Sequence, residues 1–484
     1  MSNSSYRKKT KIVATLGPSS ESTETFQALV RAGVNIFRFN FSHGSSEHKA
    51  DAIQRALQVR SELNGSLGFL ADLQGPKIRL GSVLNAQGED GVVVEAGQIV
   101  SITTDNGKSD PTNKVFEIKL PSFAKDVSPG ENILIDDGKM ELQVVESNGV
   151  DIVKLKVLYD GVIKSNKGVN LPDTSLTINC LTPKDLADIE FITSQPFDWI
   201  ALSFVRQAAD IEELRRILDE KNSTLKIIAK IEKPEALDNF DEILEVSDGI
   251  MVARGDLGVE IPFERVPVVQ RQLVEKCIVA GKPVIIATQV MESMIENPKP
   301  TRAEITDVAN AVMQGADAIM LSGETSVGNY PVQVIQTITN TISETEKFEG
   351  LYDKRIPPNE DSATYISDAI CYNAARTAFF MKAKALVSMT KSGYTAFKTS
   401  SYRPGCDIFA FTNDRKVMTQ LGLLWGVRAF VYDGKSHTDE AVPEVNAYLK
   451  SKGLVNEHDV VINTAAMPIH GEGRTNMIKV SIIP

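Results

Sequence analysis

LKIIAKIEKPEALDNFDEILEVSDGIMVARGD, residues 225–256, sets two short apolar runs on either side of a longer interval rich in acids and helix formers. The runs LKIIAKIE and DGIMVARGD are continuously apolar rather than alternating, which is how strands buried on both faces read. Strand, helical interval and strand in that order predict a parallel pair.

Outward from this stretch the same unit recurs. KIVATLG, VNIFRFNFSH, LGFLADLQ and FDWIALSFV come before it, and PVIIATQV and DAIMLSGE follow it. Eight such units predict an α/β fold with a (β/α)8 TIM barrel. Between the last two runs, Thr301 and Glu304 make an S/T-x-x-E capping box, Ile305, Val308 and Val312 share one face, and Gly315 is a stop signal.

The third and fourth runs are separated by a segment of different texture. GVVVEAGQIVSITTD and NILIDDGKMELQVVESNGVDIVKLKVLYDG alternate apolar and polar residues with Gly, Asn and Asp at the turns, which predicts antiparallel strands. A small β-barrel domain, residues 76–176, is therefore expected as an insertion leaving after Gly75 and Pro76, over the active face as a lid. The catalytic barrel would comprise residues 1–75 and 177–347. KFEGLYDKRIPPNEDS then reads as a linker into a C-terminal α/β domain, 348–484, whose runs KALVSMTKSG, DIFAFTND, VRAFVYDG, DVVINTAA and MIKVSII predict an open, mostly parallel sheet.

Composition narrows the function. At 484 residues the chain exceeds a single core, and its formal charge of -11 disfavours nonspecific nucleic-acid binding while leaving anionic small substrates open. No apolar run approaches the roughly 18 residues of a membrane span, and the basic start has no signal-peptide core, so a cytoplasmic protein is expected. Four scattered cysteines without a CxxC pair read as reduced packing residues. Five histidines without HExxH or ligand spacing disfavour a zinc site or a histidine triad.

In a TIM barrel the chemistry comes from the C-terminal strand ends. Those ends are Arg38, Asn40 and Ser42 of the second run, Asp72 of the third, Lys230 and Glu232 of the fifth, Asp256 of the sixth, Thr288 of the seventh, and Ser322 and Glu324 of the eighth. Glu232 and Asp256 with no His or Cys suit Mg2+ or Mn2+, although two acids at helix starts read the same way. Lys230, two residues before Glu232 on a strand, shares its side. Arg38 and Arg79 add cations, so the rim suits a highly charged anion such as a phosphorylated carboxylate. VARGDLGVEIP is expected to open a loop in which Gly255 and Gly258 let backbone N–H groups approach a substrate carboxylate. There is no G-x-x-x-x-G-K-[ST], hence no P-loop.

KIVATLGPSS, RFNFSHG, DLQGPKIR, NKGVNLP, AKIEKPEALDNFDEILEVSDGIMVARGDLGVEIP, ATQVMESM, PTRAEITDVANAV and LSGETSVGNYP resemble, in order, the signatures of pyruvate kinases, from Lys11 to the C-terminus. The resemblance implies phosphoryl transfer from phosphoenolpyruvate to ADP, followed by protonation of the enolate. It implies divalent metal on Glu232 and Asp256, and Lys230 stabilising the phosphoryl group in flight. Arg38 would grip phosphate, with Gly255, Asp256 and Thr288 also at the substrate. Asn40, His43, Arg79 and Lys167 would lie toward the nucleotide, and Thr288 with Ser322 on the proton-delivery side. Ser322 as a simple helix cap and His43 as a loop-ordering residue stay open, as does a tight lid turn for Asp136 and Asp137. A homotetramer is implied by the family alone.

Two finer expectations follow from the resemblance. Many pyruvate kinases hold K+ with groups matching Asn40, Ser42, Asp72 and the backbone at Leu73, and those members carry Glu where this chain has Lys77. They also usually carry Thr, Lys and Thr where it has Leu73, Gln74 and Leu80. The departures resemble the potassium-independent pattern, with the Lys77 ammonium replacing the ion's charge; a plain surface salt bridge is the other reading. MTKSGYT supplies Thr390, Lys391, Ser392 and Thr395 around Gly393, a phosphate cradle or an ordinary glycine turn, and HGEGRTN with Gly473 and Arg474 is expected to close on it. In the family such places hold a phosphorylated metabolite effector. A metal-dependent lyase would need neither the lid nor Lys230 beside the acids, and a non-catalytic paralogue would lack some of the strand-end groups.

Overall fold

The computed structural model describes residues 8–63, 65–85, 87–174, 178–434, 437–467 and 474–484. The eight apolar runs form strands Lys11–Thr15, Ile36–Asn40, Gly68–Asp72, Trp199–Leu202, Lys226–Ile231, Gly249–Ala253, Val284–Ala287 and Ala318–Leu321. They pair in sequence as a closed parallel barrel, the eighth returning to the first with Lys11 opposite Ala318. Alternate residues along each strand serve two cores. Val13, Leu70, Trp199, Ile228, Met251 and Ile285 belong to one cluster, while neighbours such as Ile12, Phe69, Ile200 and Ile227 pack with residues of the surrounding helices in another. That double burial is why the runs are continuous.

The helix Arg302–Gln314 is bounded as its punctuation predicts. Thr301 and Glu304 form the reciprocal capping box, and Gly315 sits in the left-handed region at φ +100°.

Between the third and fourth barrel strands lies a six-stranded sheet, in the order Val169–Asn170, Asn132–Ile135, Met140–Ser147, Ile152–Val157, Ile99–Thr103 and Val115–Glu117. One pair departs from the expected antiparallel pattern: Ser101 faces Val115 in a parallel pairing. Residues 78–81 close the sheet. Arg79 bridges Gly168 beside one edge and Leu80 bridges Ile118 beside the other, so the chain entering the insertion seals it as a small barrel. The expected junction at residues 176 and 177 lies outside the described residues.

The C-terminal strands form one sheet in the order Val427–Val431, Asp407–Thr412, Ala385–Met389, Val460–Ala465 and Met477–Ile482, with only the last antiparallel. This unit meets the bottom of the TIM barrel. Asp198 and Asp317 each stand one residue before a barrel strand; Thr419 Oγ1 donates to Asp198 at 2.5 Å and Arg403 pairs with Asp317 at 2.9 Å. The lid and the C-terminal sheet thus occupy opposite ends. All four cysteines are unpaired. No helix among the described residues is long and apolar enough to cross a membrane.

Candidate active site

Period-two geometry puts Lys230 and Glu232 on one side at the end of the fifth strand. Their charged ends meet, Nζ to Oε1 at 2.9 Å, and Lys230 also reaches Asp72 at 3.3 Å and donates to Ser203 Oγ at 2.6 Å. Asp72 in turn accepts from Arg38 Nε at 2.6 Å, and Arg38 Nη1 donates to Thr15 Oγ1 at 2.9 Å. Four strands therefore contribute to one polar chain: the Thr15 hydroxyl, then the charges of Arg38, Asp72 and Lys230 with Glu232. The Asp72 and Glu232 side chains are each 1% exposed.

These charges hold one another. Burial opposes the Lys230 ammonium, but Asp72 and Glu232 outweigh it and keep the group above the ordinary lysine value. Burial likewise works against the Asp72 carboxylate, yet Arg38 and Lys230 bring it below its ordinary value. Glu232 goes the other way: burial raises it, Lys230 lowers it, and the nearby Asp256 charge raises it again. The Glu232 and Asp256 carboxylates act on each other as like charges, which makes added positive charge between them favourable. Among the described residues no group of three or more His, Cys, Asp or Glu forms a metal cage. An all-oxygen pair instead fits Mg2+ or Mn2+, which take their remaining ligands from water and substrate oxygens.

Asp256 arrives differently from expectation. GDLG does not open a loop; Arg254–Glu260 is a short helix starting directly after the sixth strand, with Asp256 in its first turn. Gly255 N donates to Thr288 Oγ1 at 2.7 Å, so this N–H faces the seventh strand's exit. A Cβ at Gly255 would lie 3.2 Å from that oxygen, which accounts for glycine there. No positive φ is found at Gly255 or Gly258. Ser322 precedes the helix Gly323–Ser326, but its hydroxyl makes no capping bond; Glu324 instead accepts from Ser322 N at 2.7 Å and Met291 N at 3.0 Å.

Lys77 is brought to the rim but not to the residues of the monovalent-cation region. Its ammonium lies 3.6 Å from Asp256 and forms no ion pair with Asp72. Asn40 Oδ1 accepts from Ser42 N at 3.0 Å, and the Leu73 carbonyl accepts from Ser203 Oγ at 2.7 Å. His43 is exposed, and its carbonyl accepts from Lys49 Nζ. Arg79 and Lys167 belong to the lid: Arg79 donates to the Asn166 carbonyl at 3.0 Å, and Lys167 pairs with Asp136 at 2.8 Å. Asp136 and Asp137 both adopt positive φ, as a tight turn requires.

In the C-terminal sheet the 390–395 turn is formed, with Gly393 at φ +87° donating from its N–H to Thr390 Oγ1 at 2.9 Å. Lys391 and Ser392 are exposed. Thr395 is turned inward, its hydroxyl 2.5 Å from that of Thr475. Arg474 donates to the Ala363 carbonyl, and Gly473 lies outside the described residues.

Three groups of residues went unread in the sequence. Ser203 joins Lys230 to the Leu73 carbonyl. Lys233 and Glu260 form a buried ion pair at 2.6 Å, and Asn170 of the lid donates to the same Glu260 oxygen at 2.7 Å, which ties lid to barrel. Arg254 binds the carbonyls of Thr288 and Gln289, each at 2.9 Å. A basic or acidic residue beside a strand-end site residue was the available signal for Arg254 and Lys233.

Comparison with known proteins places the chain by sequence and by fold. Residues 7–335 match the family model described as pyruvate kinase, barrel domain, and residues 368–481 match pyruvate kinase, alpha/beta domain. A pyruvate kinase from Staphylococcus epidermidis is 42% identical over 479 residues, covering 98% of this chain and 80% of that protein. One from Sporosarcina psychrophila is 43% identical over 481 residues, with the same coverage of both chains. A crystal structure of a pyruvate kinase from Cryptosporidium parvum superposes with a TM-score of 0.91 at 34% identity, covering 99% of this chain and 97% of that one.

Proposed function

The chain belongs to the pyruvate kinase family and carries that family's activity, and from this premise we propose how its residues divide the work. Phosphoenolpyruvate and ADP are the substrates. Glu232 and Asp256 hold the divalent metal, Mg2+ or Mn2+, which when bound supplies charge neutralisation to the phosphoryl and carboxylate oxygens. Arg38 and Lys230 present fixed positive charge to the phosphoryl group as its bond to the enol oxygen breaks and its bond to the ADP oxygen forms. Thr288, with Ser322, orders the side from which C3 of the enolate takes its proton. Arg79, Asn40, His43 and Lys167 lie toward ADP, the lid bringing the first and last of these.

The observation that carries this reading is the Lys230 ammonium, 12% exposed, charged and in contact with both Glu232 and Asp72. Phosphoryl transfer needs positioned charge more than a covalent helper, and this is the group best placed to supply it. Pyruvate formation from phosphoenolpyruvate and ADP with Mg2+ is the test. Lys230→Met should lower kcat about 100- to 1,000-fold, the usual cost of removing one preorganised charge-stabilising group. Full turnover in that variant would overturn the assignment.

The finer features share this status. Turnover without K+, with Lys77 supplying the charge, rests on the residue types at Leu73, Gln74, Lys77 and Leu80, the ammonium standing beside Asp256 rather than at Asn40, Ser42 or Asp72. An allosteric site for a phosphorylated metabolite is supported by the exposed Lys391 and Ser392 beside the Gly393 turn, with Arg474; activity unaltered by any phosphometabolite would remove it. A homotetramer, a cytoplasmic location and domain limits at 75/76, 176/177 and 347/348 complete the reading.

A further inference from the structure

The seventh barrel strand ends in an unusual backbone. Thr288 and Gln289, consecutive and neither of them glycine, have φ of +65° and +52°. For a β-branched residue the left-handed region is an outlier, because Cβ crowds the neighbouring carbonyl. Two such residues in a row persist only where their surroundings hold them.

One side chain holds both of their carbonyls. Arg254 is 9% exposed; its Nη2 donates to both the Thr288 and Gln289 carbonyls at 2.9 Å, and Nε donates to Thr288 O at 3.3 Å. Nη1 is anchored on Asp307 at 2.7 Å, with Gln270 Oε1 at 3.5 Å. The turn thus delivers the Thr288 hydroxyl back to Gly255 N, one residue from Asp256. A planar guanidinium can reach two adjacent carbonyls and a carboxylate together, whereas an ammonium on a flexible stem has no such fixed fork.

The geometry points to Arg254 as a positioning residue for the proton-delivery side of the reaction: it clamps the left-handed turn that aims Thr288 and couples that turn to the helix start bearing Asp256. This rests on the reading of Thr288 given above. Arg254 itself need not touch substrate.

The reverse of enolate protonation is loss of a methyl proton from pyruvate, so exchange of those protons with D2O on the metal-loaded enzyme, followed by NMR, isolates this step. Arg254→Met should lower both that exchange and kcat about 10- to 100-fold, the scale of a misplaced reacting group. Its KM for phosphoenolpyruvate and its affinity for Mn2+ should stay within about 3-fold, because misplacing Thr288 leaves the other binding groups in position. Backbone hydrogen exchange in a peptide spanning 287–291 should quicken in Arg254→Met. Arg254→Lys should show the same pattern more weakly, and it decides the matter if Arg254→Met does not fold.

Wild-type proton exchange and kcat in both Arg254 variants would overturn the proposal, as would parallel loss of Mn2+ affinity and proton exchange in Arg254→Lys. Thr288→Ala separates the two layers. If it leaves proton exchange unchanged, Thr288 is not on the proton path and the role given to Arg254 falls with it. If it abolishes proton exchange while the Arg254 variants behave as wild type, the reading of Thr288 stands and only the clamp falls.

Discussion

Lys77 illustrates how one side chain carries both chemistry and a choice of variety. A Glu at this position would place a second carboxylate beside Asp256, whereas the ammonium 3.6 Å from Asp256 adds a cation there. The enzyme should therefore run at full rate in K+-free buffer, with tetramethylammonium keeping ionic strength constant. Lys77→Glu should lose at least about 10-fold in K+-free turnover, equivalent to only about 1.4 kcal/mol of barrier, and regain activity with added K+. Potassium-independent turnover in that variant would reduce Lys77 to an ordinary surface pair. The residue was legible because it stands, with Leu73, Gln74 and Leu80, among departures from a motif that keeps Asp72, Gly75, Pro76, Ile78 and Arg79. Its partner was not: the monovalent-cation region suggested contact with Asn40, Ser42 and Asp72, and only three-dimensional packing directs the stem to Asp256, in the helix after the sixth strand, instead.

At the scale of elements, the lid is joined to the barrel by a small buried polar contact. Asn170 ends the last lid strand, Lys233 follows Glu232, and Glu260 ends the helix that carries Asp256. The Lys233 and Glu260 side chains are 9% and 1% exposed, and Glu260 Oε2 has no hydrogen-bond partner within the protein. A buried pair of this kind is costly to break from one side only, because the remaining charge stays desolvated. Lys233→Met should therefore cost about 3–5 kcal/mol of stability in urea unfolding. Lys233→Met with Glu260→Leu should recover most of that loss, since a buried pair replaced by apolar groups is often near neutral. If the single variant unfolds at the wild-type urea concentration, the pair contributes no net stability. Asn170→Ala keeps the ion pair and frees the lid, so its effect should fall on KM for ADP rather than on unfolding. Apolar periodicity revealed the strands that these residues terminate. It could not reveal the contact, whose members lie 27 and 90 positions apart and have no pattern to share. The same limit explains the helix at Arg254–Glu260: GDLG reads locally as a glycine turn, and the close approach of Thr288 to Gly255 is a tertiary fact.

Across the whole molecule, the eight buried runs identified the barrel because every strand serves two cores, and turn chemistry identified the lid. How the C-terminal sheet docks was illegible, since it depends on buried polar residues that the sequence shows only as scattered charges: Asp198, Asp317, Arg403 and the lysines at the start of the first strand. Lys11 is the most informative of these. It opens the first barrel strand, is 5% exposed, and donates its ammonium to the Val427 carbonyl of the C-terminal sheet at 2.6 Å. Burial, reinforced by Arg428, pulls its pKa down to about 8 despite Glu346 and Asp317. The unfolded chain keeps this proton up to the ordinary lysine value of 10.5, so between about pH 8 and 10.5 the unfolded state binds more protons than the folded one. Folding stability from this group must then rise with pH across that window, by up to about 1.4 kcal/mol per pH unit. The direction is opposite to that of a lysine held by a carboxylate partner. Lys11→Met removes the titration, so urea unfolding at pH 7.5, 8.5 and 9.5 should show wild type gaining stability relative to the variant at each step. A constant difference across those three values would mean that the ammonium stays charged in the folded protein and that the contact between barrel and C-terminal sheet is insensitive to alkali.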